Sequence, residues 1–509
     1  MKRQKLSDLG HLKIVLKKVH NVEVVNCVKT LGIYVGHNKN LCNERNWSDK
    51  VLKMKLLLQR WQERSLTLLG KVAIIKSLAL PIISYSASNC ETPSWVTKSV
   101  NSLFYNFLWN GSEKVKRKSI IGKIDQGGIN MIDVEAYFQA LKASWVKRLC
   151  QADISASWFH LPACYFKGLH ILDIIQDINF RNITDTEAFV RLPNFYKQVI
   201  EGFIACNAAK DKKQDSDKCI KELCIWGNTK IVNRQNKALY FPKWIEIGII
   251  RVQDIKFINN KIDEQNIFSR LYKKTNYISE MYQIKYALGK ICNTSLRCIQ
   301  NACEHKISVQ HQRQKDQWKT TKQIYEHLIQ SNFENPTGLT FLKQLSPVIN
   351  ISKTYTIKIK LIKDKKISEF NFKLLNNILP CKKNLFKWKI MSNSQCGYCG
   401  KEENAEHMLF LCAHKFNFWK SCLGILDVKL SPEAMFLSTG SVSKDWCISV
   451  LQYCIFKISL VKYDKPLLSI KSFFTNLFFI LSQFHELYSM NNYTDVCKYL
   501  KNILHYYNK

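Results

Sequence analysis

Cys396, Cys399, His407 and Cys412 follow one another in the spacing C-x2-C-x7-H-x4-C. Three thiolates and one imidazole make a complete tetrahedral zinc set, with no position left for water, so the pattern points to a structural centre and not a catalytic one. Zinc binding in small domains is worth about 10–16 kcal/mol at neutral pH. That matches the whole stability of an ordinary domain, about 5–15 kcal/mol. Two cysteines two residues apart can grip one ion from a tight turn, and Gly400 just after them removes Cβ crowding there. His407 and Cys412 fall in Ala405–Cys412, which reads as a short helix closing over the metal. Glu406 is placed to orient the imidazole as an outer partner. His414 is an alternative to Cys412 as fourth ligand. A looser set, Cys292, Cys298, Cys303 and His305, lacks the short cysteine pair that metal sites show.

The chain that carries this motif has 509 residues, enough for several domains. Lys and Arg number 76 against 40 Asp and Glu, a net charge of +36. Such an excess predicts a polyanionic partner, with nucleic acid first and a membrane surface second. No apolar run reaches the roughly 20 residues that span a bilayer. The richest, Ser472–Ser482, reads as a buried helix. The N-terminus has no apolar core behind its charges and is not a secretory signal. The 19 cysteines are scattered, which suits a reducing compartment.

Most elements read as helices. Trp47, Val51, Met54, Leu58 and Trp61 recur in steps of four and three and share one face. Ser65 is the expected cap of the next helix, with Leu68, Val72, Ile75 and Leu78 inward and Pro81 at its end. Thr92-Pro93 opens a third helix whose stripe is Val96, Val100, Phe104, Phe107 and Leu108, and Asn110-Gly111 closes it. A basic loop, Lys114 to Lys118, and a Gly127-Gly128 turn precede a helix over Glu135–Arg148. Asn207–Lys218 has the composition of an exposed linker. Residues 251–346 are polar and mostly helical. Strands are expected in Val22–Asn26, in Lys29–Gly36 and in the alternating Tyr355–Ile362. Trp47, Trp61, Trp95, Trp109 and Trp145 sit where core residues belong, and Trp388 and Trp419 flank the metal motif. The predicted class is mainly α.

The order of these motifs resembles a known family. Leu31–Gly36, then Trp61–Lys76, Pro81, Phe107–Gly111 and Gly127-Gly128 are similar to the stretch after the palm in LINE-type non-LTR retrotransposon reverse transcriptases. Leu192–Val199 and Pro242–Gly248 resemble that family's middle region. Phe372–Pro380, Asn384–Trp388 and the Cys/His set resemble its zinc-binding module. The resemblance implies a residual end of the palm over 1–36 and a thumb-like helical domain over 37–150. It further implies an α-rich middle region over 151–350, a zinc module over 351–425 and a helical C-terminal region over 426–509.

One departure is decisive for activity. Polymerases of this class hold their catalytic metals on two adjacent aspartates, expected well before Leu31, and no Asp-Asp pair occurs in these 509 residues. The resemblance therefore leads to a non-catalytic C-terminal fragment, not an enzyme, that keeps zinc and sequence-tolerant binding of RNA, DNA or hybrid duplex. In the family the thumb grips the template–primer duplex, and the candidate contacts here are Lys71, Lys76, Lys114, Lys116, Arg117, Lys118, Lys382, Lys383 and Lys387. Two alternatives share these features: an adopted stand-alone nucleic-acid-binding zinc protein, and an accessory part acting in trans with a separate reverse transcriptase chain. A metallohydrolase would need an open zinc position, which three thiolates and an imidazole do not offer. The expected setting is intracellular, nucleus or cytoplasm, with no membrane partner. Without palm neighbours, the strand at Lys29–Gly36 is expected to be a poorly ordered or aggregation-prone edge.

Overall fold

The computed structural model describes residues 25–151, 187–208, 223–291 and 320–460, apart from a few short gaps, together with a two-residue strand pair at Lys18–Val19 and Val22–Glu23. Within them the chain is mainly helical, as its patterning requires, and the strands form three two-stranded antiparallel sheets. Cys292, Cys298, Cys303, His305, Ser472–Ser482 and most of the linker lie outside the described residues. Among the described residues no single helix is long and apolar enough to cross a membrane. The chain divides into two compact units, each gathered from three separated stretches.

The first unit takes Met1–Met54, Pro81–Val100 and Val134–Ser331. Its hairpin pairs Cys27–Thr30 with Ile33–Gly36. Leu31 and Gly32 turn it with φ of 49° and 82°, and two residues with positive φ give the turn whose twist matches that of the strands. The Tyr34 N–H donates to Asn46 Oδ1 at 2.8 Å, and the Tyr34 carbonyl accepts from Asn46 Nδ2 at 2.9 Å. These bonds tie the hairpin to the helix Lys39–Gln62. Val28, Leu31 and Val35 remain exposed. In that helix Trp47, Met54 and Leu58 are buried, as their spacing predicts. Trp95 departs from expectation: it is 40% exposed, on the outer side of the Ser94–Trp109 helix whose inward stripe, Val96, Val100, Phe104, Phe107 and Leu108, is buried as predicted. A second core gathers Phe189, Trp226, Trp244, Val252 and Ile284.

Lys142, 2% exposed on the Val134–Gln151 helix, donates to the Ala87 carbonyl at 2.7 Å and to the Cys90 carbonyl, closing the end of the Pro81–Asn89 helix. Burial pushes its pKa from the ordinary 10.5 to about 7. A neutral amine has two N–H donors, and two carbonyls are present to take them. The folded value lies below the unfolded one, so between these values the unfolded chain holds a proton that the folded chain has shed. Stability then rises with pH, by about 1.5 kcal/mol from about pH 7 to about pH 8.5. Urea unfolding at several pH values is expected to show this rise in the native chain and not in Lys142→Met.

The second unit takes Lys55–Leu80, Asn101–Asp133 and Asn332–Lys509. The helix Leu68–Ile74 is capped by Thr67, whose hydroxyl accepts from the Gly70 N–H at 3.1 Å, and not by Ser65. It runs on into a wider turn, Ile75–Ala79, with i→i+5 bonding. The extra residue per turn shifts the phase, so Ala79 is buried and Leu78 is 40% exposed, against the prediction for Leu78. Pro81 opens the following helix as its first residue. At the glycine turn, a Cβ on Gly128 would sit 2.1 Å from the Gly122 carbonyl oxygen, so this close approach of the chain to itself needs glycine at that position.

Tyr355–Ile362 is not a strand. Asn350 caps a helix over Ile351–Tyr355, which passes into a wide turn over Thr356–Lys360. Ile357, Lys358 and Ile359 are all buried. Alternation predicts a strand only when alternate residues face water, and here Lys358 points inward to Asp445, with 4.0 Å between Nζ and Oδ1. The Val442–Leu460 helix is buried on almost every side, and Phe370 packs edge-on against its Tyr453 at 5.8 Å.

Candidate metal centre and basic surface

The metal motif begins as a tight knuckle. The Cys396 N–H donates to the Lys401 carbonyl at 2.7 Å, and the Gly400 N–H donates to the Cys396 carbonyl at 2.9 Å. Gly400 has φ of 72°, a conformation that penalises a Cβ. Asn404 then caps the closing helix: its Oδ1 accepts from the His407 N–H at 2.7 Å. The turn His407–Leu411 has i→i+5 bonding and is followed by Cys412. Trp419 is fully buried and its indole donates to the Leu409 carbonyl at 2.8 Å, which fixes that turn from behind.

These elements bring one ligand atom from each of Cys396, Cys399, His407 and Cys412 within 4.8 Å of the others. Cys399 Sγ and His407 Nε2 are 3.1 Å apart. A tetrahedral ion with metal–sulfur bonds of about 2.3 Å needs ligand separations of about 3.5–3.8 Å, so the donor set fits one closed centre. Cys396, His407 and Cys412 are buried, and Cys399 is half-buried. Among the described residues this is the one such group.

The electrostatics favour the ligating forms. The Lys401 backbone N–H, donating to Cys399, pulls that thiol below its ordinary pKa. Burial, with Lys415 and Lys401 nearby, lowers the pKa of His407 and keeps its imidazole neutral. Lys415 is itself buried, donates to the Met408 carbonyl and faces the thiols. Glu403 is buried at the other side, and burial raises its pKa. Its Oε1 accepts from the Lys382 N–H at 3.3 Å, and its carbonyl accepts from the Lys383 N–H at 3.0 Å.

Sequence reasoning missed Asn404, Glu403 and Lys415. Asn404 was detectable, being a cap residue three before His407. Glu403 and Lys415 carry no spacing signal, because their burial is set by what folds over them. Glu406 is not the partner expected of it: it makes no hydrogen bond to His407, and Asn404 orients that residue through the backbone instead. Cys412 completes the set; the side chain of His414 lies outside the described ones.

All nine basic candidates fall in the second unit. Lys116 and Lys118 both reach Glu334, at 3.6 and 2.9 Å. Arg117 forks onto Glu113 and lies over the Tyr105 ring at 4.2 Å. Lys114 lies over the Trp388 ring at 4.1 Å, which joins the basic loop to the Lys382–Lys387 helix. Lys383 pairs with Glu402 at 2.7 Å. Lys76 and Lys387 are exposed, and Lys382 is half-buried. Lys71 turns inward, donating to the Leu108 carbonyl at 3.3 Å, and burial lowers its pKa.

A mainly helical chain thus brings three cysteines and one histidine together as a group that could hold one metal ion. Residues 320–419 match the family described as zinc-binding in reverse transcriptase. All four ligands lie inside the matched stretch, which makes this part of the chain related to retroelement reverse transcriptases.

Proposed function

We propose that these 509 residues form a nucleic-acid-binding protein of LINE-type retrotransposon descent, organised by one structural zinc ion and without nucleotidyl-transfer chemistry of their own. The observation that carries the reading is the match over 320–419, with its four ligands assembled in the same compact unit as all nine basic candidates. Zinc is the metal that three thiolates and an imidazole select. The surplus of 36 positive charges supports a phosphate backbone as partner. The lack of adjacent aspartates supports a role that is not polymerase catalysis. The setting proposed is the nucleus or cytoplasm.

Lysine and arginine neutralise phosphates without reading bases, so affinity should fall steeply with salt and vary little with sequence. Titration of the zinc-loaded chain against labelled duplex is expected to give a log–log salt slope of about −3 to −5. The double variant Lys116→Ala/Lys118→Ala is expected to flatten that slope by about 1 to 2. Absence of binding at low salt, or affinity indifferent to salt, would refute the reading.

A further inference from the structure

We infer that the outer face of the Lys382–Lys387 helix is a stacking platform for the unpaired bases of a single-stranded nucleic acid. This rests on the nucleic-acid reading above and narrows it to one class of strand.

Lys383, Phe386 and Lys387 stand at i, i+3 and i+4, and so share one face of the helix. All three are exposed, Phe386 by 51%. The helix stops at Trp388; Lys389 follows with φ of 60°, and Ile390 is 65% exposed. The result is a phenyl ring open to solvent and set among Lys383, Lys387 and Lys389. Cations flanking an open aromatic face are the two parts single-strand binding uses: one holds the backbone, the other takes a base of any identity. A membrane or protein partner would need a wider apolar patch than Phe386 and Ile390 supply. Paired bases in a duplex offer no free face to the ring.

The platform is rigidly mounted. Asn384 Nδ2 donates to the Leu379 carbonyl at 2.7 Å and to the Asn377 carbonyl at 3.2 Å. Glu403, next to the metal knuckle, holds the start of the helix through the Lys382 and Lys383 N–H groups. Lys114 covers a face of Trp388, leaving Phe386 as the ring presented outward. The pair Lys383–Glu402 is half-exposed on both sides, and such pairs are worth little, so a phosphate can take the place of Glu402.

The test uses the full zinc-loaded chain and two fluorescent probes of equal length: an oligothymidylate, and the same backbone with abasic sites in place of its central nucleotides. The native chain is expected to prefer the base-bearing strand by about five- to a hundredfold, one to three kcal/mol of stacking converted at 1.4 kcal/mol per decade. Phe386→Ala is expected to abolish that preference while leaving the abasic probe, zinc content and thermal midpoint unchanged. Phe386→Tyr is expected to retain it. Equal affinities of the native chain for both probes, or a preference that survives Phe386→Ala, overturns the platform and leaves the broader reading standing. No binding of either probe at low salt overturns both.

Discussion

Substitution of Cys399 and Cys412 together by serine is expected to release one equivalent of zinc and to unfold the segment from about Cys381 to Trp419. The reason lies in what the metal replaces. The knuckle around Cys396 is held by backbone hydrogen bonds, among them Cys396 N–H to the Lys401 carbonyl and Glu403 N–H to the Ser394 carbonyl, and the closing helix by the Asn404 cap, the Trp419 indole and Lys415 Nζ. Each such bond is worth about 1 kcal/mol. Metal binding at about 10–16 kcal/mol exceeds their sum. Without the ion, three thiols, an imidazole and the buried Lys415 would share one pocket with no common partner. Metal analysis, limited proteolysis and tryptophan fluorescence of the variant, beside the native chain treated with chelator, check this. A double variant with native protease resistance would show that the buried Leu409, Phe410 and Trp419 hold the module without metal.

The second large effect concerns Lys358 and Asp445, a buried pair in the same unit. The two partners are unequally supported. Asp445 accepts from the Ser438 hydroxyl at 2.5 Å and from the Thr439 N–H at 2.8 Å. The Lys358 ammonium has no hydrogen-bond partner among the described residues and relies on the charge of Asp445. Burial pushes the pKa of Lys358 down, and Asp445 opposes that shift. Asp445→Asn is therefore expected to cost about 3–5 kcal/mol, since it strands a buried cation. Lys358→Met should cost less, because the carboxylate keeps two donors. The double substitution should recover most of the loss, as buried pairs replaced together often do. Urea midpoints of the four proteins measure this cycle. If Asp445→Asn costs no more than Lys358→Met, Lys358 is already neutral when folded and the pair is no ion pair.

Much of this architecture is written in local chemistry. The 3–4 spacing from Trp47 to Leu58 and from Val96 to Leu108 specifies helices by itself, because an apolar stripe at that period can be buried in no other way. The ligand spacing specifies a metal centre in the same sense: few other structures use a short cysteine pair, a histidine and a third cysteine so close in sequence. A cap such as Asn404 is equally local.

What the tertiary structure decided is which side of an element has no water. Tyr355–Ile362 alternates like a strand, yet its lysine faces Asp445, a partner far along the chain that no period announces. Leu78 lost its inward position to Ala79 because one wide turn changed the phase. Lys142 and Lys415 read as ordinary surface charges until carbonyls from other elements close over them. Phe386 is the converse, an apolar residue left half-exposed on its short helix. Helical period and metal-ligand type are properties of neighbours in sequence, so the chain alone determined them. Burial is a property of neighbours in space, and only packing could assign it.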